Sequence, residues 1–480
     1  MTGVVVALAV ILWVCLRHTG VAIALSFLLA GFVWRLVGAA FLDYTGPVYS
    51  YEAEMQVGGN TFAADSFGLL MALSVLVTVV VMRPATWQAE AARLAPLSSP
   101  GRSFSLGDLA FGVGLFFVLA LYIDLLRIGV IPLLQCIERY EYLQDYAGLF
   151  HKVLFKYGSL IALQLGTFAV YPRLVGGRYD GRFILLVAAL FVYLSLTGNR
   201  FSAFYTFTLF FLTPYCFVWL IRGNSQLANG GGRVRRTWLI WLFLAVGGVA
   251  IVGFSLLNSY ANIRYENSTC AEVRPTRAVQ RDLMFNEMLN RFLTPEVQHR
   301  FSQRILVQPI QMYFFAYDRV NDRGDWVPEE TARFIFDSKR NNDGNRSIRF
   351  LMNRTLPAER AAYLESVGNQ FAGGYPEVLL ELLGKWGVWP GVIAFAAITG
   401  WLLRLWMIAV LRGHFLTAFF AAYVYYAFVV MYVGGMLNFL IAWTFWGKVV
   451  LLALFAWLEC RGYRLLPWRF DLSVNLAKRH

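Results

Sequence analysis

The chain has 480 residues, of which 58% are hydrophobic and only 15% charged, with a mean hydropathy of +0.54. A soluble domain cannot hide that much apolar surface, so composition excludes an ordinary globular protein. The formal net charge of +13 would suit a nucleic-acid partner. Much of the excess, however, sits in short loops between apolar runs, where topology and anionic lipid account for it, and nucleic-acid binding is set aside.

The apolar runs approach the ~20 residues that cross a hydrocarbon core, which predicts an all-α, polytopic membrane protein of about eleven transmembrane helices. In chain order the spans fall near residues 3–16, 20–41, 67–82, 109–133, 157–171, 183–198, 203–221, 238–257, 389–411, 415–433 and 438–459. The first run, from Val4 to Cys15, has no basic residue before it and is followed at once by a second run, so it reads as a retained helix and not a signal peptide. Arg83, Arg93 and Arg102, then Arg173, Arg178 and Arg182, then Arg222, Arg233, Arg235 and Arg236 mark alternate short loops as cytoplasmic. Arg461, Arg464, Arg469, Lys478 and Arg479 put the C-terminus on the same side and, with an odd number of spans, the N-terminus outside.

The first outer loop carries Asp43, Glu52, Glu54 and Asp65 without a basic residue, and the second runs from Leu134 to Lys156. The stretch from Asn258 to Tyr375 is far longer than any other connection, yet keeps helical patterns at Val279 to Phe292 and Thr331 to Phe336. It is expected to fold as a partly helical cap on the outer, periplasmic face. Nearly all its basic residues are arginine, from Arg264 to Arg360. The expected organisation is therefore eight membrane helices in 1–257, the cap in 258–375, three more helices in 376–460 and a basic cytoplasmic tail in 461–480.

Cys136 and Cys270 both fall outside, where they pair or stay free thiols. No CxxC, HExxH, phosphate-loop or nucleophile-elbow motif is present, so no metal or cofactor is expected. Charges within the spans are costly unless paired or hydrated. At about 1.5 Å per residue, Arg35 lies roughly 20 Å along an outward-running helix, Asp124 about as far along the fourth span and Arg127 near its outer end. Arg200 stands at a turn between spans, and Glu377, Glu381 and Lys385 follow one another at i, i+4 after the long loop. All share the outer level. Asp124 with Arg127 and Glu381 with Lys385 can be local ion pairs, or the arginines together can hold phosphate, which bidentate guanidinium forks suit well. The Gly368 to Glu377 stretch reads as a hinge, a site of close backbone approach or a flexible connection.

Three features resemble the bacterial oligosaccharide repeat-unit (O-antigen) polymerases and the related O-antigen ligases. They are Leu194-Ser195-Leu196-Thr197-Gly198-Asn199-Arg200-Phe201-Ser202-Ala203 at a span end, the large loop before the last spans, and Gly374-Tyr375-Pro376-Glu377 followed by Glu381-Leu382-Leu383-Gly384-Lys385-Trp386-Gly387. The resemblance implies metal-independent glycosyl transfer on undecaprenyl-pyrophosphate-linked glycans at the periplasmic face of the bacterial inner membrane, with a chain-length regulator as a possible partner. It implies pyrophosphate binding by Arg200. Arg264, Arg127 and Arg35 join it on depth. A base is needed for the acceptor hydroxyl, and Glu381, Asp124 and His299 are the candidates in that order. His299 also reads as a surface residue of an amphipathic helix. The alternatives are the ligase, or a non-enzymatic flippase or exporter of lipid-linked glycans. Transporters usually place their sites on broken helices near the midplane, and no such repeat is visible in the sequence.

Overall fold

A computed structural model describes residues 1–50, 53–84, 104–132, 142–174, 178–197, 201–222, 306–337, 346–366, 374–434, 437–463 and 469–470. These residues are overwhelmingly helical, with only two short antiparallel strand pairs. Among the described residues six helices are long and apolar enough to cross a membrane: Ser26–Thr45, Thr61–Met82, Leu106–Ile128, Leu149–Leu174, Tyr375–Arg412 and Trp443–Cys460. Shorter apolar helices occupy Thr2–Arg17, Arg182–Leu196, Phe204–Leu220 and Phe415–Val429. The chain is therefore an all-α membrane-spanning protein. The span expected at 238–257 lies outside the described residues.

The chain divides into two compact units, the first formed by Met1–Glu90 with Ser302–Leu465 and the second by Ala91–Phe301 with Leu466–His480. In the first unit the Thr61–Met82 helix is the hub, packed on Thr2–Arg17, Ser26–Thr45 and Tyr375–Arg412. Its start is set by Asn60, whose side chain accepts from the Ala63 amide at 3.1 Å. A Cβ added at Gly68 would fall 2.3 Å from the Gly3 backbone, so two helices touch main chain to main chain. In lipid this is how helices gain packing, because burial of apolar side chains drives nothing there.

Residues 306–337 and 346–366 form an insert of short helices, and one of them does more than rest on the helix ends. The Gln308–Tyr317 helix is buried from Pro309 to Ala316 and lies against Ser26–Thr45, Thr61–Met82 and Tyr375–Arg412. Gly38 makes room for it, since a Cβ there would sit 2.4 Å from the Leu306 carbonyl oxygen. The expected helix at Thr331 to Phe336 falls in Pro328–Ile335, while Val279 to Phe292 lies outside the described residues.

The Tyr375–Arg412 helix is not one rod. Gly384 has φ +73° and ψ −175°, outside any helical region. In an unbroken helix Tyr375 and Phe395 would stand about 30 Å apart. Their rings instead stack at 6.0 Å. Leu379 lies within reach of a Cβ on Gly391 (3.3 Å) and Leu383 within reach of one on Gly387 (2.7 Å). These pairings, 383 with 387, 379 with 391 and 375 with 395, are symmetric about residue 385. The chain is thus a helical hairpin: limb 375–383, roughly 13 Å long, folds back on limb 385–412, which at about 40 Å is long enough to cross a bilayer alone. The i, i+4 ladder expected from Glu377 through Lys385 ends at this turn.

In the second unit the Leu106–Ile128 helix opens with a capping box, Ser105 accepting from the Asp108 amide at 3.1 Å, and closes on Gly129 in the left-handed region. Arg182, at the start of Arg182–Leu196, bridges Asp108 at 2.9 Å and Asp180 at 2.6 Å, so these two helices begin at one level. The same guanidinium holds the Asp180 carboxyl below the usual carboxylate range.

Candidate functional site

The re-entrant limb carries two acids one helical turn apart, Glu377 and Glu381, both without any exposed surface. A carboxylate stripped of water must find cationic or hydrogen-bonding partners, and each has taken an arginine from a different element. Glu377 pairs with Arg35 of the Ser26–Thr45 helix and also accepts from the Gly374 amide at 3.1 Å, closing the first turn of its own limb. Arg35 is further tied by its Nε to the Pro309 carbonyl oxygen at 2.9 Å and stands 4.8 Å from the Phe67 ring centre. It therefore clasps the insert, the hairpin and the hub helix together. Around it Tyr313 bonds Ser66 at 2.9 Å, Ser50 bonds Gln311 at 2.8 Å and the Tyr375 hydroxyl reaches Ser74 at 3.2 Å.

Glu381 sits nearer the turn. Arg319, in the π-helical stretch Asp318–Asp322 that follows the buried insert helix, grips its Oε1 with both Nε, at 2.7 Å, and Nη2. Thr355 takes a further hydrogen bond from Arg319 at 3.1 Å. The other carboxylate oxygen, Oε2, is buried and has no hydrogen-bond partner among the described residues. One oxygen fixed by a guanidinium and the other left bare is an arrangement that can accept a proton from an incoming hydroxyl.

Trp326 covers the turn. Its Nε1 donates to the Glu381 carbonyl oxygen at 3.0 Å, and a Cβ on Gly384 would come within 3.0 Å of the indole. Glycine at 384 thus serves both the positive φ and the close approach of the ring. Beside it Arg354 bridges Asp325 at 2.9 Å and Glu330 at 3.1 Å. The pairing expected between Glu381 and Lys385 does not form, because the turn intervenes and Arg319 takes the carboxylate.

The second unit holds Asp124 and Arg127. They form the local i, i+3 pair at 3.8 Å, with the arginine side chain 80% exposed. The Asp124 carboxylate lies against Gly148, where a Cβ would meet Oδ2 at 1.9 Å, and so faces the start of the Leu149–Leu174 helix, whose partial positive charge suits an anion. Close by is a buried cluster that sequence reading passed over: His151 Nδ1 lies 2.9 Å from the Tyr193 hydroxyl, and Tyr142 packs edge-on to His151 at 5.1 Å.

The structure therefore brings Arg35 to Glu377 and Arg319 to Glu381 and keeps Asp124 with Arg127. Arg200, Arg264 and His299 lie outside the described residues, as do Cys136 and Cys270. Arg319 and Trp326 were not singled out by sequence. The available signal was position, since both follow closely on the apolar Gln308–Tyr317 run, whose burial fixes where the next turn emerges. Among the described residues no group of three acidic, histidine or cysteine side chains is placed to hold a metal ion.

A family described as a family of unknown function (DUF6418) matches residues 341–447, a stretch that contains the whole hairpin. No curated protein matches the chain. No solved structure matches it either.

Proposed function

We propose that this chain is a membrane glycosyltransferase that joins polyprenyl-pyrophosphate-linked oligosaccharide repeat units at the membrane face where the hairpin turns. The observation that carries this reading is Glu381, a buried carboxylate with one oxygen held by Arg319 and the other without a partner. In the proposed step Oε2 takes the proton of an acceptor hydroxyl as that oxygen attacks the donor's anomeric carbon. The bond from that carbon to the pyrophosphate oxygen breaks, and the polyprenyl pyrophosphate leaves with the electron pair. Because Glu381 is sealed in this state, the acceptor reaches it only when its cover shifts, a gating step that also keeps water from the donor. The resemblance assigns the pyrophosphate to Arg200. Eleven spans, an outside N-terminus, a cytoplasmic C-terminus, a periplasmic insert and an inner-membrane location complete the proposal, with no metal or cofactor.

One observation favours a second reading. Re-entrant half-helices are a device of transporters, which would make the chain an exporter of lipid-linked glycans. Limb 385–412 is long enough to cross alone, however, so the break falls at the membrane edge and not at the midplane. The deciding experiment supplies the purified protein in lipid vesicles with a polyprenyl-pyrophosphate-linked oligosaccharide and follows product length. Chains of two or more repeats, absent with Glu381→Gln, support transfer. Movement of the lipid-linked unit across the vesicle wall without elongation replaces the reading with export.

A further inference from the structure

Trp326 differs from the other exposed tryptophans at the hairpin. Trp386, just past the turn, is 79% exposed and sits beside Lys385, the pattern of an interfacial anchor. Trp326 is 45% exposed but immobilised, with its N–H on the Glu381 carbonyl oxygen and one face seated on Gly384. What remains open is the opposite side of a rigid aromatic ring. Its surroundings are polar: Asp325 and Glu330 are both more than half exposed. Arg354 between them is mostly buried and fixes both carboxylates, at 2.9 and 3.1 Å.

From these features we infer that Trp326, with Asp325, Glu330 and Arg354, forms a binding platform for a pyranose ring. The apolar C–H face of the sugar lies on the indole, and the two carboxylates, held in place by Arg354, accept from its hydroxyls. An aromatic face pre-ordered by its own hydrogen bond loses no further freedom on binding. The inference rests on the glycan reading of the same end of the unit and adds where a sugar is held. The platform lies over the turn, so a sugar bound there stands next to the covered Glu381.

The test measures binding and not transfer. Full-length protein in lipid nanodiscs is titrated with the methyl glycosides of glucose, galactose, mannose, N-acetylglucosamine and N-acetylgalactosamine, and saturation transfer to the sugar protons is read by NMR. At least one glycoside is expected to bind the unaltered protein. Trp326→Ala should weaken that glycoside about tenfold, and Trp326→Phe, which keeps a ring but loses the pinning N–H, by a smaller factor. Trp386→Ala should leave it unchanged. Should Trp326→Ala not give a folded, monodisperse protein, Trp326→Phe decides. No binding by the unaltered protein, or equal binding by the Trp326 variants, makes the residue an interfacial anchor only and overturns the inference. Glu381→Gln separates the two ideas. Transfer lost with binding intact supports both. Trp326-dependent binding in a protein that never elongates a glycan retains the platform and removes the transferase.

Discussion

Each unit places acid and arginine within apolar helices, and the two solve the same problem differently. In the second unit Asp124 and Arg127 stand one turn apart on a single helix, meet at 3.8 Å and leave the arginine 80% exposed. The contact between them is confined to that one helix. In the first unit Arg35 and Arg319 reach from separate elements to acids on a re-entrant limb, and both acids are fully buried. Exposed local pairs are worth about 0–1 kcal/mol, whereas removing one partner of a buried pair strands a charge at a cost of about 3–5 kcal/mol. Depth in a span therefore does not identify a functional charge. Partners drawn from distant parts of the chain are the more telling sign.

The sharpest way to break that contrast is Arg319→Ala against Arg127→Ala. The first should lose about 3–5 kcal/mol of stability, seen as a large fall in melting temperature in detergent, and the second about 0–1 kcal/mol. Equal effects would show that the buried pair does not hold the insert to the hairpin. Joint replacement by Arg319→Met and Glu381→Met should restore much of that stability, since an apolar pair of similar volume removes both stranded charges. Glycan elongation should remain absent in this double variant.

Next in size is Gly384→Ala. Its φ of +73° strains any side chain, and the new Cβ would press Trp326 at 3.0 Å, so about 1–3 kcal/mol should be lost. Gly129→Ala, also left-handed but with open space around it, should cost only about 1 kcal/mol. Melting of the two variants side by side tests whether the hairpin turn is as constrained as its packing indicates. The smallest effect is expected at Gly148→Ala, where the new methyl meets the end of the Asp124 side chain, a group able to rotate away for about 1 kcal/mol or less.

Much of the helical layout is legible from sequence because its signals are local. Asn60 before Thr61–Met82, and Ser105 followed three residues later by Asp108, are start signals that the structure uses. The hairpin is not legible in the same way. The span reads at 389–411, with Glu377, Glu381 and Lys385 at i, i+4 leading into it, and Gly384, Gly387, Gly391 and Pro390 give no local reason to break at the first of these rather than another. The break becomes necessary only when Trp326 needs the space and Arg319 draws Glu381 toward the insert. Those partners lie 55 and 62 residues away in sequence. The Gln308–Tyr317 helix escaped for a different reason. It is too short to be read as a span, and its apolar faces all around give no periodicity to follow. For the same reason single histidines scattered along the chain could not reveal that His151 meets Tyr193.

The most direct test of the transferase reading compares Glu381→Gln with Asp124→Asn in vesicles supplied with a polyprenyl-pyrophosphate-linked oligosaccharide. Product chains are resolved by length, and both variants are checked for the same folded yield. Abolished elongation in Glu381→Gln with near-normal elongation in Asp124→Asn is the predicted result. Full elongation by Glu381→Gln would contradict the account, because no proton acceptor would then be needed at the turn of the hairpin.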